Sequence, residues 1–338
     1  MSPYLNIHQD IHQAVSMMKS FLIILAIACA ATACSQTPAG TVNKQSEKMK
    51  TVEQIFAPPA PHMVGDGFRV HNFFPSGPGI GEKRMSPFYM LDYNSKIDFS
   101  ATDKSRGVSV HPHRGFETVT IAYHGRIAHH DSHGNSGVIG EGDVQWMTAG
   151  SGVLHKEYHD TTYSKKGGPF QMVQLWVNLP AKHKMSKPKY QPITNAQLGK
   201  HTLANSAGTV EVIAGNFNGT KGPATTFTPV EMYNVQLNKG SEITFNLPAN
   251  YNTGILVIEG SVTVNNKDKA PTDHFILFKN GGTTITLNAT ENAKLLVLSG
   301  EPIDEPLAAY GPFLMNTKEE LQQAYDDYAQ GKFGKLEE

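Results

Sequence analysis

With 338 residues, 39% of them hydrophobic and 17% charged, the chain is long enough for about two domains with buried cores and is not composed like a disordered protein. A formal net charge of -1 and the lack of any long Lys/Arg run remove the electrostatic basis for nucleic-acid binding or adhesion to an anionic membrane. Both cysteines, Cys29 and Cys34, lie in one N-terminal apolar stretch, so the body has neither a disulfide nor a thiolate metal site and is left with nitrogen and oxygen ligands.

Lys19 followed by the apolar run 21–33 has the shape of a secretory signal and is too short to span a membrane. Met17 or Met18 is a more natural start than Met1. The run Ala31-Thr32-Ala33-Cys34 reads as a bacterial lipobox with lipidation of Cys34, or as a plain cleavage site after Ala33. Residues 1–34 are therefore expected to be a targeting segment, and the polar, aperiodic residues 35–51 a flexible tether. The expected location is outside the cytoplasm, anchored to the membrane only through lipidated Cys34, or periplasmic or secreted.

From 52 to 188, short apolar or alternating runs such as 88–91, 118–123, 126–129 and 171–179 alternate with Gly, Pro and Asn/Asp clusters, which predicts short antiparallel strands. Residues 182–191, rich in Lys and Pro, read as a connection, placing a domain boundary at 188/189. A second series follows at 210–214, 232–237, 241–245, 254–258, 261–265, 274–278, 283–287 and 294–298, so the two halves read as copies of one barrel architecture. Thr317 with Glu320 forms a capping box for a C-terminal helix whose Leu321, Ala324, Tyr325 and Tyr328 share a face that packs on a barrel; Gly331 ends it.

The chemistry lies in two short motifs of the first half. On a strand, residues two apart point the same way, so His111 and His113 form one two-pronged clamp and His155 and Glu157 another. Pro112 lacks the N–H of a ladder residue and places the first clamp on an edge strand or a bulge. Three imidazoles and a carboxylate suit one divalent ion: Fe(II), Ni, Mn, Co or Cu with open positions for substrate or O₂, or a filled, structural Zn. Glu117 shares the parity of His111 and His113 if the strand runs on through Gly115, and so competes for the carboxylate place.

His129, His130 and His133, with Asp131 and Asn135, read as a surface turn, with a rim or outer-shell role as the alternative for His129. His124 reads as a strand-end residue, and His159 as an outer-shell group on the face of His155 and Glu157. Phe73, Phe88, Phe116, Met147 and Trp176 are apolar candidates for a pocket lining, with ordinary core as the competing assignment. No His-Glu-x-x-His, Gly-x-Ser-x-Gly, phosphate loop or Cys-x-x-Cys occurs, and His155-Lys156-Glu157 lacks the cysteine pair a deaminase needs, so hydrolase and nucleotide-binding chemistry have no support.

The blocks His111-Pro-His-Arg-Gly-Phe-Glu-Thr-Val119, Gly142-Asp-Val-Gln-Trp-Met-Thr-Ala-Gly150, Gly152-Val-Leu-His155-Lys-Glu157, Gln174-Leu-Trp-Val-Asn-Leu179, Gly300-Glu-Pro302 and Gly311-Pro-Phe-Leu-Met-Asn316 strongly resemble the pirin family of the cupin superfamily. The resemblance runs from about Pro58 to the C-terminus. It implies an all-β bicupin, two stacked antiparallel β-barrels with a C-terminal helix, in which only the first holds a metal, on His111, His113, His155 and Glu157, with Glu117 left as an outer-shell group. The second barrel has only His274 in its strand region and is expected to be structural.

The family includes quercetin 2,3-dioxygenases and iron-dependent binders of transcription factors, and its typical members are intracellular. The resemblance thus implies an Fe(II) dioxygenase acting on a small aromatic substrate and O₂. In that reaction Glu157 accepts the flavonol hydroxyl proton and O₂ attacks the activated ring with loss of CO. An export signal speaks against the transcription-cofactor role. The alternatives are a non-enzymatic, metal-dependent or redox-sensing module with an unassigned protein partner, and a structural barrel holding zinc or no metal.

Overall fold

Strands such as Phe116–His124, Asn252–Glu259 and Ala293–Gly300 are buried along nearly their whole length, whereas Val153–His159 and Thr284–Ala289 bury only every second residue. The first pattern belongs to a sheet covered on both faces and the second to a sheet with one face toward solvent. The computed structural model, which describes residues 48–337, contains two sheets of each kind. The targeting segment expected over 1–34 and most of the tether lie outside the described residues.

The first half joins a seven-stranded sheet, in the order Lys189–Ile193, Val144–Thr148, Phe116–His124, Gly168–Asn178, Phe88–Phe99, Phe68–Phe74, His62–Val64, with a four-stranded sheet, Gly107–His113, Val153–His159, Ile127–Asp131, Ser136–Ile139. The second half repeats this. Its seven-stranded sheet runs Val52–Phe56, Phe275–Phe278, Asn252–Glu259, Ala293–Gly300, Val230–Leu237, Gly208–Ala214, Gly199–Thr202. Its four-stranded sheet runs Glu242–Asn246, Thr284–Ala289, Ser261–Val264, Asp268–Pro271.

Val119, Ile121, Trp146 and Leu175 from one seven-stranded sheet and Met232, Leu256, Leu277 and Leu298 from the other share one core, so these sheets pack back to back. The outer layer of the second half closes on an apolar core of Val235, Phe245, Ile255, Leu287 and Val297. His274 lies outside that core, with its Nδ1 2.9 Å from the Thr272 carbonyl. The two-fold repeat and the all-β bicupin architecture stand as expected.

The edges of the halves differ from the sequence reading. Val52–Phe56, placed in the first half, pairs with Phe275–Phe278 of the second, while Lys189–Ile193, placed in the second, pairs with Val144–Thr148 of the first. An edge strand carries no mark in its own residues of which sheet supplies its partner. The tether ends earlier than 51, because Lys50 is fully buried, its backbone N–H donating to Thr284 at 2.8 Å and its ammonium to Ala249 O at 3.3 Å. The C-terminal helix, Lys318–Ala329, carries the expected reciprocal capping box of Thr317 and Glu320. Ala324, Leu321 and Tyr325 pack with Phe313, Phe333 and Leu154, while Tyr328 at the helix end is 43% exposed.

Candidate metal centre

Gly107–His113 is the edge strand of its sheet, where Pro112 leaves no ladder position empty, and it pairs with Val153–His159 so that His111 faces His155. The register slips before Glu157, which lies opposite Val108 on this side and opposite His129 of Ile127–Asp131 on the other. Alternation buries Val153, His155, Glu157 and His159 and leaves Leu154, Lys156 and Tyr158 on the outer face.

The strand carrying His111 and His113 does not run on to Glu117. Gly115 adopts φ +88°, and a Cβ there would meet the Leu314 carbonyl oxygen at 2.0 Å, so the chain turns and Phe116 opens a strand in the other sheet. On that strand Phe116, Thr118 and Thr120 face inward, and Glu117 shares the opposite face with Val119 and Ile121 in the core between the halves. Its carboxylate accepts a hydrogen bond from the Thr148 hydroxyl at 2.6 Å, and burial pushes the group up to about 7. The parity argument for Glu117 fails at the turn, and so does its outer-shell place, since its carboxylate is bonded to Thr148 on the face away from the histidine cluster.

One nitrogen each of His111, His113 and His155 lie within 4.8 Å of one another, with ring centroids 4.2 to 4.8 Å apart. A second cluster at the same spacing contains His129, His155 and Glu157, so His155 is common to both. Burial, reinforced by the neighbouring imidazoles, holds His113 and His155 well below the usual histidine range, in the neutral form that ligates metals. Both ring nitrogens of His155 are buried without a hydrogen-bond partner, a costly state for a polar side chain, and an ion in the cluster would engage the one that carries the lone pair. The three imidazoles of the first cluster suit one divalent ion, whereas Glu157 falls in the second cluster with His129 and is linked to His111 and His113 only through the shared His155.

Glu157 is oriented by three side chains that the sequence reading missed. Its Oε1 accepts from Gln145 at 2.7 Å and Thr120 at 3.1 Å, and its Oε2 from Gln174 at 3.3 Å. Gln145 and Gln174 lie inside motifs recognised as blocks, but nothing in those blocks says which polar residue points at the carboxylate. His129 leaves the surface turn for the alternative place behind the donors, in one cluster with His155 and Glu157. It is fully buried on the strand Ile127–Asp131, stacked 4.9 Å from Tyr190, and only His133 of the three histidines belongs to the turn that follows. The alternation Ile127, His129, Asp131 was the available signal. His159, on the predicted face, donates to or accepts from no residue of the cluster; its Nε2 is 2.7 Å from Gly67 O in a box of Phe68, Phe99 and Phe170.

Of the apolar candidates, Phe116 and Trp176 stack at 4.1 Å beside His113, 4.9 and 5.1 Å from its ring. Met147 packs with Tyr190, and Phe73 and Phe88 belong to the core between the halves, away from this cluster.

The family model described as Pirin matches residues 67–177, and that described as Pirin C-terminal cupin domain matches 232–334. A Pseudomonas aeruginosa protein named "Putative quercetin 2,3-dioxygenase" is 44% identical over 285 residues, 84% of this chain and 99% of that protein. The crystal structure of a protein named quercetin 2,3-dioxygenase from Acinetobacter baumannii is similar with TM-score 0.81 and 44% identity, over 86% of this chain and 100% of that one. A bacterial pirin from Escherichia coli, solved in complex with nickel(II), shares the fold with TM-score 0.56 and 21% identity, over 74% of this chain and 100% of its own.

Proposed function

Because this chain belongs to the pirin family of cupin proteins, we propose that it is a dioxygenase that uses one divalent metal ion, Fe(II), to cleave a flavonol or a similar enolisable aromatic with O₂. The observation that carries the reading is His155, buried with both nitrogens unpartnered and shared by the two donor clusters. The proposed ligands are His111, His113, His155 and Glu157. These residues would hold the ion, which would supply Lewis acidity toward an enolic oxygen.

The protein's own groups do the rest. Glu157 takes the substrate's hydroxyl proton onto a carboxylate oxygen, and Gln145, Thr120 and Gln174 keep that carboxylate aimed while it does so. Phe116 and Trp176 offer a flat wall beside His113 on which an aromatic ring stacks. The names of the P. aeruginosa and A. baumannii relatives support this substrate class.

The test is oxygen uptake and CO release when residues 35–338, loaded anaerobically with Fe(II), meet quercetin, with His113→Ala as the blank. Turnover confined to the unmutated protein supports the reading; bound iron without oxygen uptake on any flavonol overturns it and favours the binding module. We propose further that the protein is exported and anchored through Cys34. Radiolabelled palmitate should enter the unmutated protein and not Cys34→Ala, and absence of label from both would leave simple cleavage.

A further inference from the structure

His113 and Arg114 are neighbours on one strand end, so their side chains leave the backbone on opposite sides. His113 turns to the donor cluster. Arg114 turns to the segment that follows the second half, residues 312–337. Its guanidinium is 4% exposed, with Nη1 2.9 Å from Asp327 Oδ2, Nε 2.8 Å from Ser151 O, and its carbon 4.7 Å from the centre of the Phe333 ring. The other oxygen of Asp327 accepts from Gln323 at 2.8 Å and Lys332 at 2.7 Å, which ties the helix to the turn behind it.

The same segment touches the flank of each strand that supplies a donor. Leu314 N–H donates to Arg114 O at 3.1 Å, and Pro312 O lies 3.2 Å from Nδ1 of His113. A carbonyl can only accept, so this contact fixes the proton on Nδ1 and leaves Nε2 with the lone pair. Phe333 O accepts from the Ser132 hydroxyl at 2.5 Å, which in turn accepts from the N–H of Leu154 at 3.0 Å, one residue from His155. Phe333 also fills the space beside Gly152, where a Cβ would come within 2.6 Å of its ring.

We propose that Asp327 is a positioning residue for the metal centre: by fixing Arg114 and the 312–337 segment it fixes the tautomer and placement of His113 and the strand of His155. The inference rests on the reading that these histidines hold a metal. The pairing is nearly dry, and Arg114 and Leu154 each lie one residue from a donor, so a loss at Asp327 reaches the site through the backbone and the Pro312 carbonyl rather than through any contact with the ion.

The experiment uses the full chain without its signal, residues 35–338, and Co(II) as the probe, with affinity read by chelator competition and by the visible absorption of the bound ion. Asp327→Asn should weaken Co(II) binding about 10- to 100-fold. It should also narrow the gap between the melting temperatures of the Co(II)-loaded and metal-free proteins. A purely structural role would lower both temperatures together and leave the affinity and the spectrum unchanged, and that result overturns the inference. If Asp327→Asn gives no soluble protein, Ser132→Ala, which removes only the bridge from Phe333 to Leu154, replaces it: weakening of threefold or more supports positioning, and unchanged affinity refutes it. Equal Co(II) binding by the unmutated protein and His113→Ala would instead defeat the metal reading itself.

Discussion

Glu117 is a carboxyl group buried in the core between the halves, and it should give the protein a pH-dependent stability that Glu117→Gln removes. Burial raises it from an ordinary value of 4.5 to about 7, against a weaker opposing effect of the Thr148 hydroxyl bond. Below pH 4.5 the group is protonated in both the folded and unfolded chains and contributes nothing to the slope. As pH rises toward 7 the unfolded chain gives up its proton while the folded one keeps it, so folding is progressively disfavoured; above about 7 both are ionised and the loss is complete. The separation of about 2.5 pH units, at about 1.4 kcal/mol each, makes the full loss about 3 kcal/mol. Gln keeps the acceptor for Thr148 and has no proton to lose. Urea unfolding of the two proteins from pH 4 to 8 should show the unmutated chain losing about 3 kcal/mol relative to Glu117→Gln across this window. Parallel curves would refute the placement of an ionisable carboxyl in that core.

Three further outcomes follow from the site and its supports. Glu157→Gln should lower kcat on quercetin at least 100-fold while part of the Fe(II) remains bound, measured by oxygen uptake beside metal analysis; unchanged turnover removes the proton role. Gln145→Leu, which strips the 2.7 Å donor from Glu157, should weaken metal binding about 10-fold in chelator competition, an effect absent if the carboxylate is held by Thr120 and Gln174 alone. Gly115→Ala should cost about 3 kcal/mol or more in urea unfolding, since its Cβ meets Leu314 O at 2.0 Å with φ at +88°; a loss under about 0.5 kcal/mol would show that the turn can relax.

The period-two pattern around His111, His113, His155 and Glu157, the Gly- and Pro-bounded strands and the capping box of Thr317 were legible because each is set by a residue's immediate neighbours. The two series of strands gave the repeat for the same reason. Which sheet an edge strand joins was not legible for Val52–Phe56 or Lys189–Ile193, since backbone hydrogen bonds are offered alike to any partner. Nor was the separation of Glu117 from His113, which depends on how one glycine turns against a carbonyl from nearly two hundred residues away. His129, Gln145, Thr120 and Gln174 come together from separate strands around Glu157. By itself, the sequence determined which residue types can carry the chemistry and their order along each strand. Only the tertiary structure decided which of them meet, because convergence in a sheet is set by register and by the packing of distant segments, and neither is written in local spacing.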